Sequence, residues 1–131
     1  MGKMSREKGK RGERMWASLC REEGFDAHRT SQYCGNTGEA SDVVGLPHIH
    51  VEVKFVERLN IYDAVSQAMH DADQDGRMPI VAHKKSRFPW LVTMPAEVFF
   101  KLYKESSYAD RGDEVEQGSV LFFARRKMET D

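Results

Sequence analysis

The stretch that decides the fold is Ser41-Asp42-Val43-Val44-Gly45-Leu46-Pro47-His48-Ile49-His50-Val51-Glu52-Val53-Lys54-Phe55. Two β-rich runs flank a Gly45-Leu46-Pro47 turn, and such a pattern predicts an antiparallel hairpin. In its second run Ile49, Val51, Val53 and Phe55 alternate with His48, His50, Glu52 and Lys54. Successive strand residues point to opposite faces, so one face is apolar and belongs to a core. The other carries Glu52 beside Lys54.

A hairpin centred on Pro47 pairs residue 42 with residue 52. Side chains directly opposite in an antiparallel pair share a face at roughly 5 Å between Cβ atoms. Asp42 and Glu52 are thereby expected to point together, with Lys54 two positions along. Two carboxylates held so close repel each other unless a cation lies between them. All-oxygen ligands suit Mg²⁺, with Mn²⁺ as a substitute, better than zinc. A lysine beside them can stabilise charge on a phosphate oxygen or help orient an attacking water. Those are the requirements of phosphodiester hydrolysis. The competing reading is a salt-bridge ladder on an exposed strand face.

Working outward, Ser5 is a candidate N-cap for a helix running to about Glu23, where Gly24 stops it. Trp16, Leu19 and Cys20 form its apolar stripe. Glu13 precedes Trp16 by three and Cys20 by seven, which places it on that same stripe. A carboxylate there needs a partner, and a metal site would be one. The run Lys8-Gly9-Lys10-Arg11-Gly12 puts two glycines inside the helix, which leaves room for a phosphate backbone to come close; a frayed, uninvolved N-terminus is the alternative. Phe25 to Thr30 reads as a strand, and Ser31 to Ala40 as a loop.

Asn60 is a good N-cap, with Asp63 three residues later. Ile61, Ala64, Val65, Ala68, Met69 and Ala72 then recur with helical spacing until Asp75-Gly76. Pro79–Ala82 and Trp90–Thr93 read as strands, and Pro95 suits the first turn of a third helix ending near Lys104. Ser106 to Gln117 reads as an acidic loop and Ser119 to Ala124 as a final strand. The order predicts an α/β fold around one mixed sheet with helices on its faces.

With 131 residues, 40% hydrophobic and 31% charged, the chain has the size and balance of one ordinary globular domain. No apolar run can span a bilayer, and Met1 to Arg14 lacks the apolar core of a signal peptide. A cytoplasmic location is the expectation. The formal net charge of −1 is not that of a basic DNA-binding domain, but the charges are segregated. Lys3, Arg6, Lys8, Lys10, Arg11 and Arg14 form one basic group. Lys84, Lys85 and Arg87 form a second, and Arg125, Arg126 and Lys127 a third. Acids gather at Asp71, Asp73 and Asp75 and again from Asp110 to Glu116, as expected of a phosphate-facing side and a solvated opposite side. Cys20 and Cys34 make no disulfide framework or zinc pattern. His48 and His50, as alternating strand residues, are expected to line a surface or cleft rather than to ligate metal.

From Lys8 to Thr93 the sequence resembles the archaeal-type Holliday junction resolvases, also found in phages, within the PD-(D/E)XK nuclease superfamily. The resemblance lies in Lys10-Arg11-Gly12-Glu13, His28-Arg29-Thr30-Ser31, Ser41-Asp42-Val43-Val44, Glu52-Val53-Lys54 and Gln67. It implies a restriction-endonuclease-like core, a central mixed sheet flanked by helices. It also implies metal held by Asp42, Glu52 and the Val53 carbonyl with help from Glu13, and Lys54 as catalytic lysine. Lys10, Arg11, Arg29, Ser31 and Gln67 would position the substrate, branched double-stranded DNA. A homodimer acting in the cytoplasm, or the host cytoplasm for a phage protein, is implied too. Ser41 departs from the pattern by replacing a proline. The expected organisation is a nuclease core over residues 1–105 with a basic N-terminal helix, and a C-terminal extension over 106–131 belonging to the same domain. Two other readings share the residues: a flap, repair or restriction-type nuclease, and a non-catalytic DNA-binding accessory module. The clustered carboxylates count against the last, since without metal they repel phosphates.

Overall fold

A computed structural model describes residues 3–30 and 41–110. The expected loop over 31–40, Cys34, Ser31, the third basic group and the final strand lie outside the described residues. The chain divides into two compact units, Met1–Pro95 and Ala96–Asp131. In the first, α1 (Lys3–Glu22), β1 (His28–Arg29), β2 (Val43–Val44), β3 (Ile49–Phe55), α2 (Ile61–Asp75), β4 (Met78–Lys84) and β5 (Leu91–Thr93) follow one another. The second unit begins with α3 (Ala96–Glu105), on which Phe99 and Tyr103 stack with ring centroids 5.9 Å apart.

β3, β4 and β5 form a mixed sheet in that order, β3 parallel to β4 and β4 antiparallel to β5. Parallel neighbours need a crossover, and α2 supplies it. Asn60 caps that helix by accepting a hydrogen bond from the Asp63 amide at 3.1 Å, as its sequence predicts. Gly76 ends it in the left-handed conformation, φ 70°.

The antiparallel hairpin does not form. β2 pairs with β1 in an antiparallel ribbon of its own, Arg29 opposite Val43 and His28 opposite Val44, so the described strands make two sheets rather than one. The free edge of β3 is satisfied instead by Ser41 and Asp42. Ser41 Oγ accepts from the Val51 amide at 2.7 Å, the Asp42 amide donates to Val51 O at 2.8 Å, and Asp42 Oδ2 accepts from the Val53 amide at 2.8 Å. Side chains have taken the place of a ladder, and a buried hydroxyl at 41 does what a proline could not. The strand expected over Phe25–Thr30 is correspondingly short, reduced to His28–Arg29.

Helices cover both faces of the sheet. α1 meets the apolar face of β3 at Gly12, where an added Cβ would lie 2.6 Å from Phe55 Cβ. Gly12 therefore serves close helix–strand packing, not a phosphate, which corrects the sequence expectation; at Gly9 nothing lies within 4 Å. Ser5 is also not the cap, because α1 already runs from Lys3. Trp16, Ala17 and Cys20 are buried, and Trp16 lies 5.3 Å from Trp90 between ring centroids.

α2 covers the opposite face with a stripe of small residues. Ala64 and Ala68 pack with Val81 of β4, and Ala72 is buried one turn on. Met69, expected on this face, is 45% exposed. Among the described residues no helix is long and apolar enough to cross a membrane.

Candidate active site

The site is centred on β3. His50, Glu52 and Lys54 project from the face covered by α2, while Asp42 is pinned to its edge through the Val53 amide. Glu52 is 4% exposed and His50 fully buried, so the strand carries its polar row inside the protein rather than on a solvated ladder. That removes the exposed salt-bridge reading. Burying charge is costly without partners, and the partners are the informative part.

On one side of Glu52 stands Asp42. Its carboxyl is pushed up to about 7 by burial first and by the Glu52 charge second, with Glu13 adding to both. The Val53 amide and Lys54 act in the opposite direction without overcoming the rise. Glu13, Asp42, Glu52 and Lys54 therefore meet within electrostatic reach although the hairpin predicted to assemble them is absent. Glu13 is 23% exposed in its side chain and accepts from Arg29 Nε at 2.9 Å. Lys54 Nζ reaches Gln67 Oε1 on α2 at 3.4 Å.

The expected DNA-facing residues are distributed less uniformly. Arg29 is engaged by Glu13. Arg11 lies over the Phe55 ring at 5.2 Å, with Lys8 at 4.8 Å and Lys84 at 5.9 Å from the same ring. Lys10 makes only a 4.0 Å approach to Glu7. Lys8 also joins Glu57 at 3.2 Å, and that exposed carboxyl is lowered to about 2 by bonds from Ser86 first and Lys8 second. Part of the N-terminal basic group is thus spent on an aromatic ring and an acid.

On the other side of Glu52 is a cluster the sequence did not announce. His50 Nε2 lies 3.2 Å from Glu52 Oε1, and His50 Nδ1 lies 3.1 Å from Asp75 Oδ2. Burial works against the imidazolium, but the hydrogen bonds to Glu52 and Asp75 outweigh it and raise the His50 pKa above its ordinary value. Asp71 is 6% exposed, and its Oδ2 has no hydrogen-bond partner among the described residues. His50, Glu52 and Asp71 each offer one ligand atom, all within 4.8 Å of one another. His50 therefore does not line a surface, and Asp71 does not belong to a solvated acidic side; Asp75 stays exposed while one of its oxygens faces His50. The available signal is periodicity: residues 64, 68, 71 and 75 fall on one helical stripe, so Asp71 continues the alanine face into the core and Asp75 carries it to the exposed end of the helix. His48, by contrast, is exposed and sits at φ 68° in the turn before β3.

Among solved structures, the chain is similar to that of Archaeoglobus fulgidus Hjc, a Holliday junction resolvase from an archaeal hyperthermophile. The match has a TM-score of 0.51 and 26% sequence identity, and it covers 66% of this chain and 76% of that one. The fold is of that kind: a mixed sheet flanked by helices, restriction-endonuclease-like as expected. No family model and no curated protein matches the sequence.

A divalent cation fits the acid pair on chemical grounds. Asp42, half-buried, and Glu52, buried, are oxygen donors; desolvation first and the Glu52 charge second raise the Asp42 carboxyl, and a cation between the two relieves both.

Proposed function

We propose that this protein is a metal-dependent DNA endonuclease of the Holliday junction resolvase type, acting on branched double-stranded DNA as a homodimer. The observation that carries the reading is the placement of Asp42, pinned to the edge of β3 through the Val53 amide at 2.8 Å, in electrostatic reach of Glu13, Lys54 and the buried Glu52. Similarity to a resolvase at 26% identity supports the substrate class.

In this reading Asp42, Glu52 and the Val53 carbonyl hold Mg²⁺, or Mn²⁺ in its place, and Glu13 assists directly or through water. The ion supplies Lewis acidity at the scissile phosphate. The rest is the work of the chain itself. The Val53 amide fixes the Asp42 carboxylate, so the donor oxygens need little reorganisation when substrate arrives. Lys54, steadied by Gln67, presents its ammonium to the non-bridging phosphate oxygen that gains charge. Arg29 orients Glu13. Lys10, Arg11 and Ser31 belong to the DNA-contacting surface of the same proposal.

The test is cleavage of an end-labelled four-way junction and a matching linear duplex, with Mg²⁺, with chelator, and with Asp42→Asn beside the wild type. Paired nicks across the branch point that need both metal and Asp42 are the expected result. Equal cutting of both substrates replaces the resolvase with a repair, flap or restriction-type nuclease. Tight junction binding without cutting under any metal makes the protein a DNA-binding accessory module.

A further inference from the structure

The cluster on the far side of Glu52 consists of three buried acceptors facing one another. Asp75 Oδ2 lies 3.1 Å from His50 Nδ1 and is the natural acceptor for a proton on that nitrogen. With the proton there, Nε2 turns a lone pair toward Glu52 Oε1 at 3.2 Å, an acceptor meeting an acceptor. A second proton on the ring satisfies that contact but leaves Asp71 Oδ2, buried and without a partner among the described residues, unserved. A cation at the common point serves all three.

We propose that His50, Glu52 and Asp71 form a second site, for a divalent transition ion such as Mn²⁺, Co²⁺ or Zn²⁺. Three things favour this class of ion. The donor set mixes one imidazole nitrogen with two carboxylates, which suits transition ions better than Mg²⁺. The three ligand atoms already lie within 4.8 Å of one another, and bonds of about 2.0–2.2 Å close that spacing with side-chain adjustments of about 1 Å. Asp75 on the remote ring nitrogen is the carboxylate–histidine arrangement that fixes the tautomer of a metal-binding imidazole. A carboxylate has two oxygens, so Glu52 can bridge this ion and the one at Asp42. That bridging rests on the nuclease reading; ion binding at His50 and Asp71 does not.

The experiment uses the full chain without DNA. Wild type, Asp42→Asn and Asp71→Asn are titrated with Co²⁺ and followed by visible absorption, with circular dichroism to check folding. Zn²⁺ is added in parallel to ¹⁵N-labelled wild type. The expected result is Co²⁺ binding in wild type and Asp42→Asn, weakened at least about tenfold in Asp71→Asn. Zn²⁺ should move the His50 Nε2 resonance while Nδ1 keeps its proton. Binding lost in Asp42→Asn and unchanged in Asp71→Asn overturns the proposal, because the nuclease site is then the one that takes the ion. A His50 Nε2 that stays protonated in excess Zn²⁺ overturns it as well, since a proton is then the occupant, and this readout needs no variant to fold. If the wild type cuts no substrate in the junction assay while Asp42→Asn still holds Co²⁺ here, the nuclease reading falls and the second site stands.

Discussion

The two sides of Glu52 are built by different means. Toward Asp42 the hydrogen bonds to the strand come from residues close in sequence: Ser41 and Asp42 bond the edge of β3 ten or eleven positions away, and Lys54 is two residues along, with Glu13 brought within electrostatic reach from α1. Toward His50 the contacts come from α2, with Asp71 and Asp75 brought in by the crossover helix. The first side is left electrostatically unfavourable, with a carboxyl near pKa 7. On the second, His50 has carboxylates on both ring nitrogens. A protein gains nothing in stability from crowding acids; it tolerates them where a ligand will enter. The side under strain is accordingly assigned the chemistry.

The largest effect expected from this contrast is at Asp42. Its folded pKa of about 7 stands above the ordinary 3.8, so the folded state holds a proton that the unfolded chain has released. Between those values stability of the metal-free protein falls as pH rises, and above about 7 the deficit is complete, up to about 4 kcal/mol. Asp42→Asn keeps an acceptor for the Val53 amide and removes the charge. It should raise the urea midpoint of chelated protein at pH 8 but not at pH 4, while junction cleavage falls by about 1000-fold or more. Mg²⁺ should stabilise the wild type and not the variant. A variant destabilised at pH 8 would show that Asp42 is a structural acid, and the contrast between the two sides would collapse.

That asymmetry also explains what could be read in advance. The alternation of Ile49 to Phe55 identifies β3 because strand periodicity is local, and Asn60 and Gly76 mark α2 because capping is local too. Asp42 was placed beside Glu52 by a hairpin that does not exist, and the neighbourhood survived because the residue's own side chain bonds the strand edge in place of a ladder. Gly12 was misread because the close approach of Phe55 is a tertiary fact invisible in the Lys8–Gly12 run. Asp71 was misread for the same reason. Whether an aspartate on a helix is solvated depends on which stripe meets the sheet, and composition favours the exposed answer.

A smaller effect is expected at Gln67, which sits on α2 yet serves the Asp42 side through Lys54. Gln67 is exposed, so Gln67→Ala should leave the melting temperature within about 2 °C. The single hydrogen bond it makes to Lys54 corresponds to roughly a tenfold loss in single-turnover cleavage. Gln67→Glu replaces a neutral acceptor by a charged one that still reaches the Lys54 ammonium, and should keep cleavage closer to wild type than Gln67→Ala does. Unchanged cleavage in both variants would separate Lys54 from the helix and leave it positioned by DNA alone.

The smallest effect belongs to Asp75, on the other side. Asp75→Asn retains an oxygen that can accept from His50 Nδ1, so the ring can keep its orientation although the charge is lost. Asp75 Oδ1 also accepts from the Arg77 amide at the end of α2, a bond the amide side chain reproduces only if its single oxygen is not taken by His50. One of those two bonds must weaken, at a cost of about 1 kcal/mol in urea denaturation. Junction cleavage in Mg²⁺ should stay within about twofold of wild type, because Asp75 touches neither Asp42 nor Lys54 among the described contacts. A loss of cleavage as deep as that of Asp42→Asn, in a variant that melts normally, would mean that His50 governs Glu52 during the reaction, making both sides of Glu52 parts of one catalytic unit.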